Sequence, residues 1–399
     1  MPNLIVFDSD VRNHLLPLTY SRPVGDLRVG ILTIREKWER YLSISGSFLT
    51  DDSLKELFPV KYGENNIMVN GAVLPDQALA NKVLQLLPGQ AYQKDGVLVA
   101  ACLDRHSVEA LVNADEFDNI EAFELEGEPL TQLRRPYDIF SLNDLALRRD
   151  FELLTAGKTS SPVSETNTII GPRENLYVAE GVTLEACTIN LNSGPVYLGE
   201  GAVVLEGCLI RGPLAVMEGA VLKMGAKIYG PTTIGPRCKV GGEINNVVFW
   251  GHSNKGHDGF LGNAVVGEWC NIGADTNASN LKNDYGEVRV WDYVDRRFSK
   301  TGKQFHGLIM GDHSKLGINT MLNTGTVIGF SSNVYGEGFP RPFIPSFSWG
   351  SAGGFTTYRL DKAVATAERV MARRDRSVTP ELHKLFQSVH DRSAEFRKE

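Results

Sequence analysis

Aliphatic residues recur at every sixth position from Leu198 through Val204, Ile210, Val216, Leu222, Ile228 and Ile234 to Val240. A strand repeats every 2 residues and a helix every 3.6, so neither accounts for this spacing. Hexapeptide repetition is the pattern of a parallel β-helix, in which short strands turn corners and the chain coils upon itself. Each aliphatic is expected to point inward and stack on its equivalents in the coils above and below. The spacing resumes at Phe260, Val266 and Ile272, then at Met310, Leu316, Leu322, Ile328 and Val334. Several of these are followed by glycine, as in Leu198-Gly199, Ile234-Gly235 and Ile328-Gly329. Glycine suits a tight corner because it has no β-carbon to clash there.

The first half lacks this period. Leu4 to Phe7 reads as a buried strand, Thr33 to Leu42 as a helix capped by Thr33, and Ile67 to Val69 as a strand closed by Asn70-Gly71. Apolar residues at helical spacing from Leu142 to Leu154 predict a further helix. Strands alternating with helices indicate an α/β domain over residues 1–154. A Ser/Thr-rich linker follows at 155–168, then the β-helix at 169–350, and a charged, helix-prone tail at 351–399. The repeat is interrupted between Leu281 and Gly307, which reads as an inserted loop or hairpin.

Composition narrows the class further. At 399 residues the chain is too long for one ordinary core. A net charge of -7 argues against a dedicated nucleic-acid binder. No apolar run reaches the length of a membrane span, and no N-terminal stretch reads as a signal peptide, so a cytoplasmic location is expected. The five cysteines form no CxxC pair, and four fall in the repeat, where small apolar side chains stack well.

Unusual polar residues interrupt the coils between Ser253 and Asn280: His257, Asn271, Asp275, Asn277 and Asn280, with His252 just before them. A histidine titrates close to neutral pH and can serve as a general base. A backbone N–H at Gly273 or Ala274 is a candidate to steady an oxyanion. Taken alone, a histidine at this place more often only fills a corner.

The block Lys255-Gly256-His257, Phe260-Leu261-Gly262-Asn263-Ala264, Val266-Gly267, Asn271-Ile272-Gly273-Ala274 and Ser279-Asn280 resembles the acetyltransferase half of a known family. That family is the bifunctional UDP-N-acetylglucosamine pyrophosphorylase/glucosamine-1-phosphate N-acetyltransferase (GlmU) family, with its K-A-G-H and N-I-G-A-G-T motifs. The resemblance implies a left-handed β-helix, a homotrimer, acetyl-CoA as donor and an amino-sugar phosphate, glucosamine 1-phosphate, as acceptor. It puts His257 on the catalytic base, Asn271 on a sugar contact, and Ala274 and Asn280 on contacts to the acetyl donor. Lys227, Asn245, Lys255 and Phe260 fall on or near further sugar-binding positions. Phe260 replaces a tyrosine and Asn245 a lysine of the family.

The first half is similar to sugar-phosphate nucleotidyltransferases at Leu16-Pro17-Leu18-Thr19, Arg22-Pro23, Gly30 and Met68-Val69-Asn70-Gly71. This implies nucleotide-binding roles for Arg22, Asn70, Gly71 and Asp76. UTP and Mg²⁺ enter only if this domain is active. The family's glycine-rich loop is missing, the lysine of R-P-K-P is Val24, and the metal aspartate is Ala72. The whole pattern resembles an alternate bacterial form with a shortened, divergent nucleotidyltransferase domain. That domain is either a nucleotidyltransferase with substituted residues or a relic that binds a sugar nucleotide or supports the trimer.

Two rivals come from other classes. His252 and His257 have the H-x4-H spacing of γ-class carbonic anhydrases, which hold zinc with a third histidine. A non-catalytic scaffold binding a sugar nucleotide is the other. No metal ligands are assigned on the first reading.

Overall fold

The computed structural model describes residues 2–113, 120–127 and 129–397. The chain packs as two compact units: 1–15, 21–27 and 32–135 form one, and 16–20, 28–31 and 136–399 the other.

In the first unit, Asn3–Phe7 pairs in parallel with Gly46–Leu49 and Asn65–Asn70. Val97–Asp104, Gln90–Lys94 and Glu121–Glu124 complete a six-stranded sheet. Val6 and Val69 have no exposed surface to speak of, so these strands read as continuous apolar runs. The helix Ile34–Leu42 begins as the sequence predicts. Thr33 accepts from the Glu36 amide while the Glu36 carboxylate accepts from the Thr33 amide, a reciprocal capping box.

The second unit is a parallel β-helix with three faces and a ten-stranded third sheet, giving about ten turns. Strands stack in register, as in Val196↔Leu214 and Leu214↔Thr232 on the second face and Val203↔Val221 and Val221↔Lys239 on the third. The predicted inward aliphatics form one continuous core, from Leu198 and Val204 through Val240 to Ile328 and Val334. Cys187, Cys208, Cys238 and Cys270 are buried thiols within it. Corners between strands carry non-glycine residues at positive φ, among them Arg237, His252, Trp269, Asp275 and His313.

One expected position is corrected. The inward residue of its coil is Leu261, paired with Ile244, while Phe260 pairs with Glu243 and is partly exposed. The reason lies in two shortened coils: Glu243–Phe249 and Phe260–Val266 each run unbroken across two faces, bending at Asn246 and Asn263 in the left-handed region. A corner reduced to one residue breaks the count of six.

The interruption after Leu281 is a hairpin, Arg289–Asp292 against Arg297–Lys300. The helix Asp138–Thr155 belongs to this second unit: Asn143 donates to the Pro231 carbonyl and accepts from the Gly30 amide. The solenoid ends in an antiparallel strand, Gly354–Thr357, followed by helices Leu360–Ala372 and Pro380–Arg392. The second helix docks through Phe386, which meets His313, Phe330 and Phe347 edge-on. Among the described residues no helix is long and apolar enough to cross a membrane.

Candidate functional site

From Lys239 to Lys315 the third face of the solenoid presents a polar residue beside the inward position of each of four successive coils. Lys239, Asn254, Asn271 and Lys315 follow one another in register and floor a cavity of about 890 Å³. One rim is the edge leading to the first face, with Lys223, Gly256-His257, Gly273-Ala274 and Ile318. The opposite rim is the pair His252 and Trp269. Val370, Arg373 and Arg374, from the end of the first C-terminal helix, close it from above. Arg374 donates to the Arg237 carbonyl at 3.1 Å and to Asn254 Oδ1 at 3.2 Å, tying that helix end to two coils.

The cavity is cationic. Three lysines, two arginines and two histidines line it, and among the described residues no carboxylate does. The Lys315 amine donates to the Trp269 and His313 carbonyls at 2.6 and 2.9 Å, and burial pulls its pKa down to about 8. His257 stands exposed at the rim, on the corner between Asn254–Lys255 and Phe260–Val266. The Gly273 amide is spent on the Leu316 carbonyl, so of the two candidate amides only that of Ala274 is left for a ligand.

The residues expected from sequence divide into groups. His257, Asn271 and Ala274 share the cavity. Phe260 and Asn280 lie around the same edge on the first face, where Asn280 donates to Asn263 Oδ1 at 2.8 Å. Gly262 lets them approach: a β-carbon there would sit 2.6 Å from the Asn280 amide and 2.7 Å from the Phe260 ring. Asn245 is one coil below, opposite Gly262. Lys227 lies further down, in a separate shallow groove with Asn190, Arg211 and Tyr229. Lys255 is buried inside the coil and does not line the cavity.

Trp269, Asn254, Lys239, Lys315 and the Arg373-Arg374 pair were not among the expected site residues. A signal for the floor exists in the sequence: Lys239, Asn254, Asn271 and Lys315 each immediately precede an inward position. Nothing in the tail's composition ties its arginines to a particular coil.

In the first unit the expected nucleotide residues serve the fold. Asn70 closes a turn, accepting from the Ala72 amide and donating to the Leu98 carbonyl. The Gly71 amide donates to the Phe7 carbonyl, and a β-carbon on Gly71 would meet the Gly25 backbone at 2.8 Å. Asp76 caps the helix Gln77–Val83, and Arg22 pairs with Asp26 at 3.3 Å. Asp8, beside the place of the missing glycine-rich loop, accepts from the Val24 amide, Arg12 and Thr50. Burial raises its pKa despite the opposing Arg12 charge.

These residues do not fit a resident Mg²⁺. Asp8 has both oxygens engaged, Asp76 is a cap, and Ala72 carries no carboxylate. Among the described residues of the single chain no group of three or more His, Cys, Asp or Glu is arranged to hold a metal.

Comparison with known proteins adds the following. Residues 4–159 match the family model described as sugar nucleotidyl transferase. A bifunctional sugar-1-phosphate nucleotidylyltransferase/acetyltransferase from Sulfurisphaera tokodaii is 35% identical over 144 residues, 36% of this chain and 35% of that one. The chain thus spans about a third of the length of this curated relative. Among solved structures, the polySia-specific acetyltransferase NeuO covers 53% of this chain and 94% of its own at 13% identity, with a TM-score of 0.28. An Arabidopsis UDP-N-acetylglucosamine acyltransferase covers 59% of this chain and 99% of its own at 14% identity and a TM-score of 0.21. Neither structure bears on the site. By these matches the chain is similar to the sugar nucleotidyl transferases over residues 4–159, and over 144 residues to part of a bifunctional sugar-1-phosphate nucleotidylyltransferase/acetyltransferase.

Proposed function

We propose that the solenoid unit transfers an acetyl group from acetyl-CoA to the amine of an amino-sugar phosphate, glucosamine 1-phosphate. The observation that carries this reading is the cavity itself: lined by three lysines and two arginines, without a carboxylate among the described residues, and bearing His257 at its rim. Such a lining favours the phosphates of a CoA ester. The thioester carbonyl is directed toward the corner of His257 and Ala274.

In the proposed reaction His257 takes a proton from the neutral sugar amine as the amine nitrogen attacks the thioester carbonyl. The new C–N bond forms, the Ala274 amide steadies the oxyanion, and the C–S bond breaks. The CoA sulfur leaves with the electron pair and receives the proton from His257. Alignment of the two substrates supplies much of the acceleration.

A homotrimer is part of the proposal. Leu209, Met224, Ile318, Met321 and Tyr335 are exposed apolar residues on the first face and on the edge that carries His257. A second copy packed there would cover them and close the sugar side of the site. For the first unit the reading is sugar-nucleotide binding; nucleotidyl transfer there would need acidic residues at positions other than that of Ala72.

The test is release of free thiol from acetyl-CoA in the presence of glucosamine 1-phosphate, with His257→Ala alongside. Release that vanishes in the variant supports the reading, and full activity in the variant removes His257 from the chemistry. Absence of release with the parent protein would remove this acceptor.

A further inference from the structure

Lys255 occupies the position that neighbouring coils give to an aliphatic side chain. It lies in register with Val240 below. Its neighbour Asn254 is in register with Asn271 above, which makes Ile272 its counterpart in the next coil. Only 1% of Lys255 is exposed, and it is among the largest fully buried side chains of the chain. A cation inside an apolar coil is costly unless its protons are all well used.

The use is visible. Lys255 Nζ donates to the carbonyl of His257 at 2.8 Å and to that of Asp258 at 3.1 Å. Both acceptors belong to the corner that carries the His257 imidazole into the cavity rim. Gly256 and Gly259 flank that corner, and Gly259 sits at φ +111, so its own backbone does little to stiffen it. Burial draws the Lys255 pKa down to about 8, while Asp258 and Asp275 pull it back up. The group remains mainly an ammonium at neutral pH, and charge-assisted bonds of this kind are stronger than neutral ones.

We infer that Lys255 is a positioning residue: from inside the coil it clamps the His257 and Asp258 carbonyls and thereby sets the direction in which His257 meets the substrate. This rests on the reading of His257 as the base. It replaces the sugar contact expected from sequence, since an amine bonded to these two carbonyls is turned away from the outer surface. Clamping also gives a reason for a lysine, with three protons on a long apolar stem, at a place where Leu or Val would fill the core.

The experiment compares Lys255→Met and Lys255→Leu with the parent full-length protein and with His257→Ala. It measures thiol release from acetyl-CoA with glucosamine 1-phosphate, and amide exchange of the 256–259 corner by mass spectrometry. Expected are a fall in kcat of roughly 10- to 100-fold with KM for acetyl-CoA within about threefold, the cost of a misdirected catalytic group, and faster exchange confined to the corner. Parental kcat in both variants, or unchanged exchange at the corner, overturns the inference. Loss of the fold in both would also overturn it, since the role would then belong to the coil core. If His257→Ala stays active, the base reading fails by that result alone, and the exchange data still judge the clamp.

Discussion

The imidazole of His252 lies flat on the indole of Trp269, with ring centroids 4.1 Å apart and planes 3° from parallel. The two residues stand one coil apart on the same edge of the solenoid, both at positive φ, 53 and 59. Bulky residues avoid that region, so such corners store strain that the surroundings must offset. The stack is part of that offset and also builds one wall of the cavity. Burial lowers the His252 pKa, and Arg374, Arg237 and Arg376 add to the effect against Glu268. The wall is therefore uncharged where the floor is cationic.

Trp269→Ala takes away the wall while leaving His257 in place. KM for acetyl-CoA should rise about tenfold, the equivalent of the ~1.4 kcal/mol typical of an aromatic pair, with kcat within about threefold. Steady-state thiol release decides it, and an unchanged KM would place the donor elsewhere.

Arg374→Ala frees the helix end from Arg237 and Asn254 and removes one cation from above the cavity. Acetyl-CoA binding, followed by calorimetry, should weaken by at least about tenfold, consistent with one charged hydrogen bond. The difference from the parent should shrink in ~1 M salt, where charges are screened within about 3 Å. A difference that ignores salt would argue against a phosphate contact.

Two glycines of the His257 corner should behave differently. Gly259 sits at φ +111, and a β-carbon there would lie 2.2 Å from the Thr276 carbonyl oxygen. A β-carbon on Gly256 would have nothing within 4 Å. Gly259→Ala should cost about 2–3 kcal/mol in urea unfolding, and Gly256→Ala about 0.5 kcal/mol or less. Equal effects would contradict this description of the corner.

His306 offers a pH test. It is fully buried, edge-on to Tyr137 and Phe140, and burial depresses its pKa to about 4, with Lys303 adding and the Gly307 carbonyl opposing. The unfolded imidazole takes a proton near pH 6.5 that the folded one refuses. Its contribution is thus present above pH ~6.5 and is lost as pH falls toward ~4, by up to about 1.4 kcal/mol per unit. His306→Phe should flatten that part of the stability curve in urea titrations between pH 4.5 and 6.5. Parallel curves for the two proteins would show that His306 does not titrate as its burial demands.

The solenoid was legible because an inward aliphatic must stack on its equivalents, which writes one period into Leu198 through Val240 and again into Met310 through Val334. Where two corners shrink to Asn246 and Asn263 the count changes, and Phe260 was read as inward in place of Leu261. Lys255 was read as a surface contact because a lysine carries no mark of the side on which it lies. Its register with Val240 reverses that. His257, Asn271 and Ala274 were found together because they flank one edge in successive coils. Arg374 was not, because its place depends on how a helix more than a hundred residues away returns to the third face.

The threading of Arg28–Ile31 sets a limit on cutting this chain apart. The Gly30 carbonyl accepts from Thr233, the Ile31 amide donates to Asp150, and Trp250 Nε1 donates to the Arg28 carbonyl. A fragment begun at the Ser/Thr-rich linker would lose the helix Asp138–Thr155 together with this tetrapeptide, baring Thr233 and the Trp250 indole at its flank. The solenoid is therefore not a detachable cassette, and any recombination that exchanges the first half must carry these four residues along with it.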